Sequence, residues 1–393
     1  MRQRSVLSVG VALIAASLAL TACGGNNEDG GGGGGGGGTQ TVKIGFMGDL
    51  TGENSAIVIP PKNGAQLAVD EHNAKNPKVK IQLVTYDSQA DPGQAVALAQ
   101  KAITQDKIVA LIGPAFSGES KNVGPILEEA KIPSVSPSAT NPGLAKNGWK
   151  FWHRVVANDD VQGPAIAEFL FKAKSPKTAY VIDDRQDYSL GIANAAFDTL
   201  KGKGVSVQRD HIDPKASDYS STVNKVNAAK PDVIFYGGYY AQAGRLLKQL
   251  RDAGVQATFA SGDGSLDQGL VQGAGPKAAE GAVVGCPCLI PFGSTEPTLK
   301  KFADDYKAKF KADPAIYSTE GYDAASTFVK AIEAGKTTAE DINTYLSSLD
   351  LKGVSKEIKF GPNGEPNVNQ IFIYQVQGGK ISTLGDSATA KLT

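Results

Sequence analysis

Six short segments of this chain are dense in small polar residues, and the chemistry they offer is that of a carboxylate cradle. They are Asp49–Ser55, Gly113–Gly118 and Ser134–Thr140 in the first part of the chain, then Asp183–Ser189, Gly237–Gln242 and Ser261–Gly264. The hydroxyls of Ser117, Ser138 and Thr140, together with unpaired amides at helix starts, suit an anionic oxygen pair. A single loop of this kind serves equally well to cap a helix. Convergence of several from two halves of a molecule would instead make a ligand site.

Catalytic signatures are missing. No G-x-S-x-G occurs, and the nearest run, Asp187-Tyr188-Ser189-Leu190-Gly191, begins with Asp. Outside the glycine run Gly30–Gly38 there is no G-x-G-x-x-G, and there is no Walker loop and no H-E-x-x-H. His72, His153 and His211 are far apart in sequence, so they give no metal-ligand spacing. The expectation is a protein with neither metal nor cofactor, and not an enzyme. Whether two carboxylates pair as in a glycosidase is not decided by sequence.

The three cysteines are Cys23, Cys286 and Cys288. For an exported chain, Cys286-Pro287-Cys288 reads as a disulfide with a one-residue spacer.

Elements that could carry the polar loops alternate along the chain. Strands are expected at Val42–Met47, Val79–Tyr86, Ile108–Ile112 and Ile132–Val135, with helices at Lys62–Asn73, Pro92–Gln105 and Glu119–Ala130 between them. Asp91-Pro92 is a cap followed by a first-turn proline. The pattern restarts with a helix at Val161–Phe171 and strands at Thr178–Asp183, Val205–His211, Val233–Tyr236 and Thr258–Ser261. Helices at Leu190–Leu200, Tyr219–Ala229 and Gln242–Asp252 separate those strands. Alternation of this kind predicts α/β lobes, each a doubly wound parallel sheet. Ligands in such folds sit beyond the carboxyl ends of strands, where the polar loops fall. The remaining helices, Pro297–Phe310, Gly321–Ala334 and Thr338–Leu349, and the late strands Glu357–Phe360 and Gln370–Val376 are too few for a third domain. They are expected to complete the two lobes.

The start of the chain has a different character. Arg2 and Arg4 precede an apolar run from Val6 to Leu20, which ends on Leu20-Thr21-Ala22-Cys23. This reads as a secretory signal over residues 1–22. The ending resembles the lipobox of bacterial lipoproteins, which implies a lipid-modified Cys23 and an anchor on the extracytoplasmic face of the cell membrane. Residues 23–40, with nine consecutive glycines from Gly30 to Gly38, read as a flexible tether. Lys plus Arg and Asp plus Glu both total 40, so the basic excess of a nucleic-acid binder is absent. One apolar segment alone does not make a polytopic membrane protein.

In order and spacing, several phrases resemble the leucine/isoleucine/valine-binding proteins of the class I periplasmic-binding-protein-like receptors. They are Lys43-Ile-Gly-x-x-Gly-Asp-Leu-Thr-Gly52, Tyr86-Asp-Ser-Gln-Ala-Asp-Pro92, Ile112-Gly-Pro-Ala-Phe-Ser117, Ser136-Pro-Ser-Ala-Thr140, Tyr236-Gly-Gly-Tyr239 and Gly321-Tyr-Asp-Ala-Ala325. The resemblance implies two lobes, residues 41–157 with 286–360 and residues 158–285 with 361–393, joined by a three-segment hinge. It implies a ligand carboxylate held by Ser117 and Thr140, with the Ser138–Ala139–Thr140 backbone engaged and Tyr188 closing from the second lobe. The family's acidic partner for a ligand ammonium is expected at Gln242, which has no charge, and Asp263 or Asp187 is then expected to supply it. Ser88 and Phe116 stand where the family's first-lobe disulfide would be. The implied role is capture of a small amino acid for an ABC permease. A sensor of the same fold, or a receptor for another carboxylate or an amide, is the alternative reading.

Overall fold

The computed structural model describes residues 40–393; Cys23 and nearly all of the glycine-rich stretch lie outside the described residues. Five strands, β1 (Gln40–Gly48), β2 (Val79–Asp87), β3 (Ala110–Ile112), β4 (Ser134–Ser136) and β5 (Trp152–Arg154), form one parallel sheet in the order β2-β1-β3-β4-β5. Between them run helices α1 (Ile59–Ala74), α2 (Pro92–Lys101) and α3 (Ser117–Ala130). The second half of β1 is buried throughout, as a strand covered on both faces must be. Helix α2 starts where Asp91 accepts from the amides of Gly93 and Gln94 and Pro92 fills the first turn. It gives way at Ala102–Asp106 to a π turn, so the helix expected through Gln105 is interrupted near its end.

Helix α4 (Asp159–Lys174) then leads into a second sheet. It holds β6 (Thr178–Asp183), β7 (Ser206–His211), β8 (Val233–Gly237), β9 (Thr258–Ser261) and β10 (Val283–Cys286). Helices α5 (Asp187–Gly202), α6 (Ser220–Ala229), α7 (Tyr240–Asp252), α8 (Gln268–Ala274) and α9 (Pro276–Ala279) connect these strands. Next come α10 (Pro297–Phe310), α11 (Ser318–Glu333) and α12 (Ala339–Leu346), and the short pair β11 (Leu351–Lys352) and β12 (Glu357–Ile358). The last strands, β13 (Phe372–Gln377) and β14 (Lys380–Asp386), complete the second sheet in the order β14-β13-β10-β9-β8-β6-β7. The expected doubly wound parallel sheet is present here too, with an antiparallel edge added to it. β13 enters the sheet antiparallel to β10, and β13–β14 is antiparallel because the two form a hairpin across Gly378 and Gly379, both at positive φ.

Helix α11 packs along α1 of the first sheet. Two glycines permit this. A Cβ on Gly64 would lie 2.0 Å from the Ser318 carbonyl oxygen, and one on Gly321 would lie 2.0 Å from that of Pro61. The chain thus passes between the sheets after β5, after β10 and before β13. The Cys286–Cys288 disulfide is formed, at the start of the second passage.

Candidate functional site

Loops after β3 and β4 on one side, and after β6, β8 and β9 on the other, face one another. At their meeting point is a cavity of about 10 Å³, room for about one water. Its lining includes Ser117, Ser138, Tyr188, Asp263 and Tyr317, with Ile57, Ala115, Phe116 and Tyr239 as the apolar wall. In this closed arrangement an amino acid does not fit, so the lobes must part to admit one.

The first-lobe side is built from helix-start chemistry. Ser117 is the first residue of α3, so its amide belongs to the turn whose N–H groups have no partner within the helix. Its hydroxyl accepts from the amide of Asn141 at 3.2 Å. The Ser138 hydroxyl donates to the Ala115 carbonyl at 2.8 Å, which ties the two loops together. Ala139 and Thr140 are buried just behind this surface. Among the described residues the Thr140 Oγ1 has no partner at full hydrogen-bond geometry, but it lies near enough to the buried Asp159 carboxyl to favour its charged form.

The second-lobe side is organised by Asp263, which is buried. Its Oδ1 accepts from the Tyr188 hydroxyl at 2.9 Å and from Gln162 Nε2 at 2.7 Å. Its Oδ2 accepts from the Tyr317 hydroxyl at 2.7 Å. All three donors are neutral, and among the described residues Asp263 takes part in no salt bridge. Burial raises its pKa, against the lowering effect of Tyr317, Gln162 and Tyr188. Gln162 also donates to Asp159 at 3.1 Å. Burial first, and then the charge of Asp263, holds the Asp159 carboxyl well above the usual range. An uncompensated buried carboxylate is costly and attracts a cation.

Gln242 is elsewhere. It lines an outer cleft of about 640 Å³, not the inner cavity, and its Nε2 donates to Glu53 at 3.1 Å and to the Pro214 carbonyl at 3.2 Å. Of the two positions expected near a ligand ammonium, Gln242 therefore lines the outer cleft and Asp263 the inner cavity. Asp187 is also outside it, paired with Lys121 at 2.7 Å across the cleft. Tyr317 is a site residue that the sequence reading missed. It precedes α11 with φ of +59°, a conformation that periodicity does not reveal.

Glu119 is a further unforeseen residue. Its carboxylate accepts from the Ser88 hydroxyl and, at 3.2 Å, from the Phe116 amide. Those are the two positions where the resemblance places a disulfide, so one buried carboxylate clips together the loops that a covalent bond would join. Burial pushes the Glu119 carboxyl up to about 7, with the charges of Asp49 and Asp87 raising it further against the two hydrogen bonds. A raised carboxyl contributes stability that is full below its unfolded value, near 4.5, and is lost as pH rises through about 7. The melting temperature of Glu119→Gln relative to the wild type should therefore climb between about pH 4.5 and 7 and level off above that. A flat difference across that range would show that Glu119 does not titrate there.

Two facing α/β lobes with a polar cavity between them are the architecture of a two-lobed binding protein. The chain belongs to the periplasmic binding protein family, which matches residues 41–380. It is 30% identical over 347 residues to the Leu/Ile/Val-binding protein BraC3 of Rhizobium johnstonii, covering 86% of this chain and 93% of that one. It is 30% identical to the Leu/Ile/Val-binding protein of Escherichia coli K12 over 335 residues, covering 83% and 88%. Among solved structures it is similar to the leucine-binding protein LivK of Thermotoga maritima, with a TM-score of 0.81 and 30% identity, covering 88% of this chain and 98% of that one. It is also similar to LivJ of Streptococcus pneumoniae in complex with isoleucine, with a TM-score of 0.80 and 27% identity, covering 90% and 99%. The protein is thus a binding protein and not an enzyme.

Proposed function

We propose that this protein captures a small zwitterionic amino acid of the branched-chain class outside the cytoplasm and delivers it to an ABC importer. One observation carries the reading: the buried Asp263 carboxylate, without a cation of its own, shares a cavity with the first-turn hydroxyl of Ser117. Asp263 takes the ammonium. Ser117 and the Ser138–Thr140 loop take the carboxylate. Tyr188 closes over the ligand from the second lobe, and Phe116, Tyr239 and Ile57 meet an apolar side chain. The segments after β5, after β10 and before β13 act as the hinge, and closure on the ligand gives the form that a permease recognises.

Thermal unfolding with L-leucine, L-isoleucine, L-valine, 4-methylvalerate and isoamylamine tests this. The three amino acids should stabilise by about 2.7 kcal/mol at a hundred times Kd. Stabilisation by the acid lacking the amine as strongly as by leucine would overturn the zwitterion assignment.

Cys23, at the end of the signal, carries the lipid anchor in this reading. Cys23→Ser should release the protein from membranes and leave the unfolding of the body unchanged. Retention of that variant in salt-washed membranes would sink the anchor.

A further inference from the structure

One first-lobe residue outside the inner cavity reaches the second lobe three times. Glu53 lies in the loop after β1, a loop fixed from within because Asp49 accepts from the amides of Gly52 at 2.5 Å and Asn54 at 3.1 Å. The Glu53 carbonyl accepts from the Tyr240 hydroxyl at 2.6 Å. Its Oε2 accepts from Gln242 Nε2 at 3.1 Å, and its Oε1 from Arg245 Nη1 at 2.5 Å. All three donors lie in the first two turns of α7, the helix that opens beside Tyr239. Tyr239 in turn packs on Phe116 of the first lobe, with ring centroids 4.8 Å apart. Glu53 lines the outer cleft and is absent from the lining of the inner cavity.

We propose that Glu53 is a positioning residue for closure, a latch that fastens the first lobe to α7 and sets the lifetime of the bound state without touching the solute. Its three bonds join residues of different lobes, so they break when the cleft opens. Contacts present in one state alone shift the equilibrium towards that state by their own free energy. Because they must break before the solute leaves, their loss appears in the dissociation rate and much less in the association rate. The latch also accounts for Gln242, which anchors α7 to Glu53 and to the Pro214 carbonyl. A second cross-cleft pair, Lys121 with Asp187, lies elsewhere on the rim and holds partial closure when the latch is broken. Arg245 and Glu53 are both partly exposed, at 31% and 51%, so the effect is modest in size.

The proposal rests on the reading that the lobes open and close around a solute, and its test separates the two. Spin labels at Gln89 and Lys215, exposed residues on opposite walls of the outer cleft, report the opening of the body Thr39–Thr393, which is a compact unit. Glu53→Gln, and independently Tyr240→Phe, should lengthen the inter-label distance without any ligand. With L-leucine as the probe, Glu53→Gln should raise the dissociation rate about three- to tenfold, with the association rate within about twofold of wild type. High salt should shrink the difference. The melting temperature of the ligand-free variant should fall by only about a degree, so the change in dissociation rate cannot be put down to a loss of overall stability. Unchanged label distances in both variants, or an unchanged dissociation rate in Glu53→Gln, would overturn the latch. Failure of L-leucine to bind the wild type would count against the amino-acid reading, and the label distances would still decide the latch.

Discussion

Asp263→Asn should weaken amino-acid binding by roughly 30- to 150-fold, the loss expected when a charge-assisted bond of about 2–3 kcal/mol is removed. The substitution keeps the shape of the side chain. It removes the one negative charge that lines the inner cavity. It also turns an acceptor oxygen into an amide donor, which then faces the hydroxyl of Tyr188 or Tyr317. The effect on the empty protein has the opposite sign. Burial already disfavours the charged form, since the Asp263 pKa is raised. Replacing that charge with a neutral amide should therefore leave the ligand-free melting temperature unchanged or higher. Calorimetric titration with L-leucine beside thermal unfolding reads both effects. The same shift gives a pH dependence: affinity for an ammonium falls as pH drops through the raised pKa, because a protonated Asp263 has no charge to offer. Equal affinity in the variant and the wild type would place the ammonium elsewhere.

The first-lobe half of this site was legible in sequence because its residues follow regular elements. Ser117 opens a helix directly after a buried strand, and Ser138 and Thr140 follow another. Strand–turn–helix periodicity locates such loops within a residue or two. The second-lobe half was legible in part. The resemblance puts the family's acidic position at Gln242, after Tyr236-Gly-Gly-Tyr239, and leaves Asp263 as one of two candidates for the charge. Only the packing tells them apart: Gln242 faces Glu53 and Asp263 faces Tyr188. Tyr317 had no local signal, since it reaches Asp263 through a helix that returns from 54 residues along the chain. Strands β4 and β5 have three residues each, and β5 is too short for an alternating pattern to stand out. The β13–β14 hairpin did carry a signal, the Gly378-Gly379 pair, and an expectation of uniform parallel pairing hid it.

Arg154→Met should cost about 3–5 kcal/mol of stability, and the reason is that Arg154 fastens the ligand loop to the hinge. Its side chain is fully buried at the end of β5, just before the first passage between the sheets. Nε donates to Glu365 Oε2 at 2.9 Å, and Nη2 donates to Oε1 of the same carboxylate. Nη1 donates to the carbonyls of Ala139 at 2.9 Å and Asn141 at 3.0 Å, on either side of Thr140. The Arg154 amide donates to the Gly364 carbonyl at 3.1 Å. Glu365 lies ahead of β13, in the third passage, and also accepts from Asn158 at 3.1 Å. One guanidinium therefore holds two of the three passages and the loop that meets the solute carboxylate. Methionine keeps the apolar stem, but it strips the Glu365 carboxylate of its charged partner, leaving it Asn158 alone, and takes one donor each from the Ala139 and Asn141 carbonyls. For a body of this size the melting temperature should fall by on the order of 5 °C. Glu365→Leu in the Arg154→Met background should recover part of that loss, because the orphaned charge goes with it. Affinity should not recover, since the Ala139 and Asn141 carbonyls stay untethered and the Thr140 loop stays loose. Additive losses of stability in the double variant would show that the two residues act independently, and the strut would have to be abandoned.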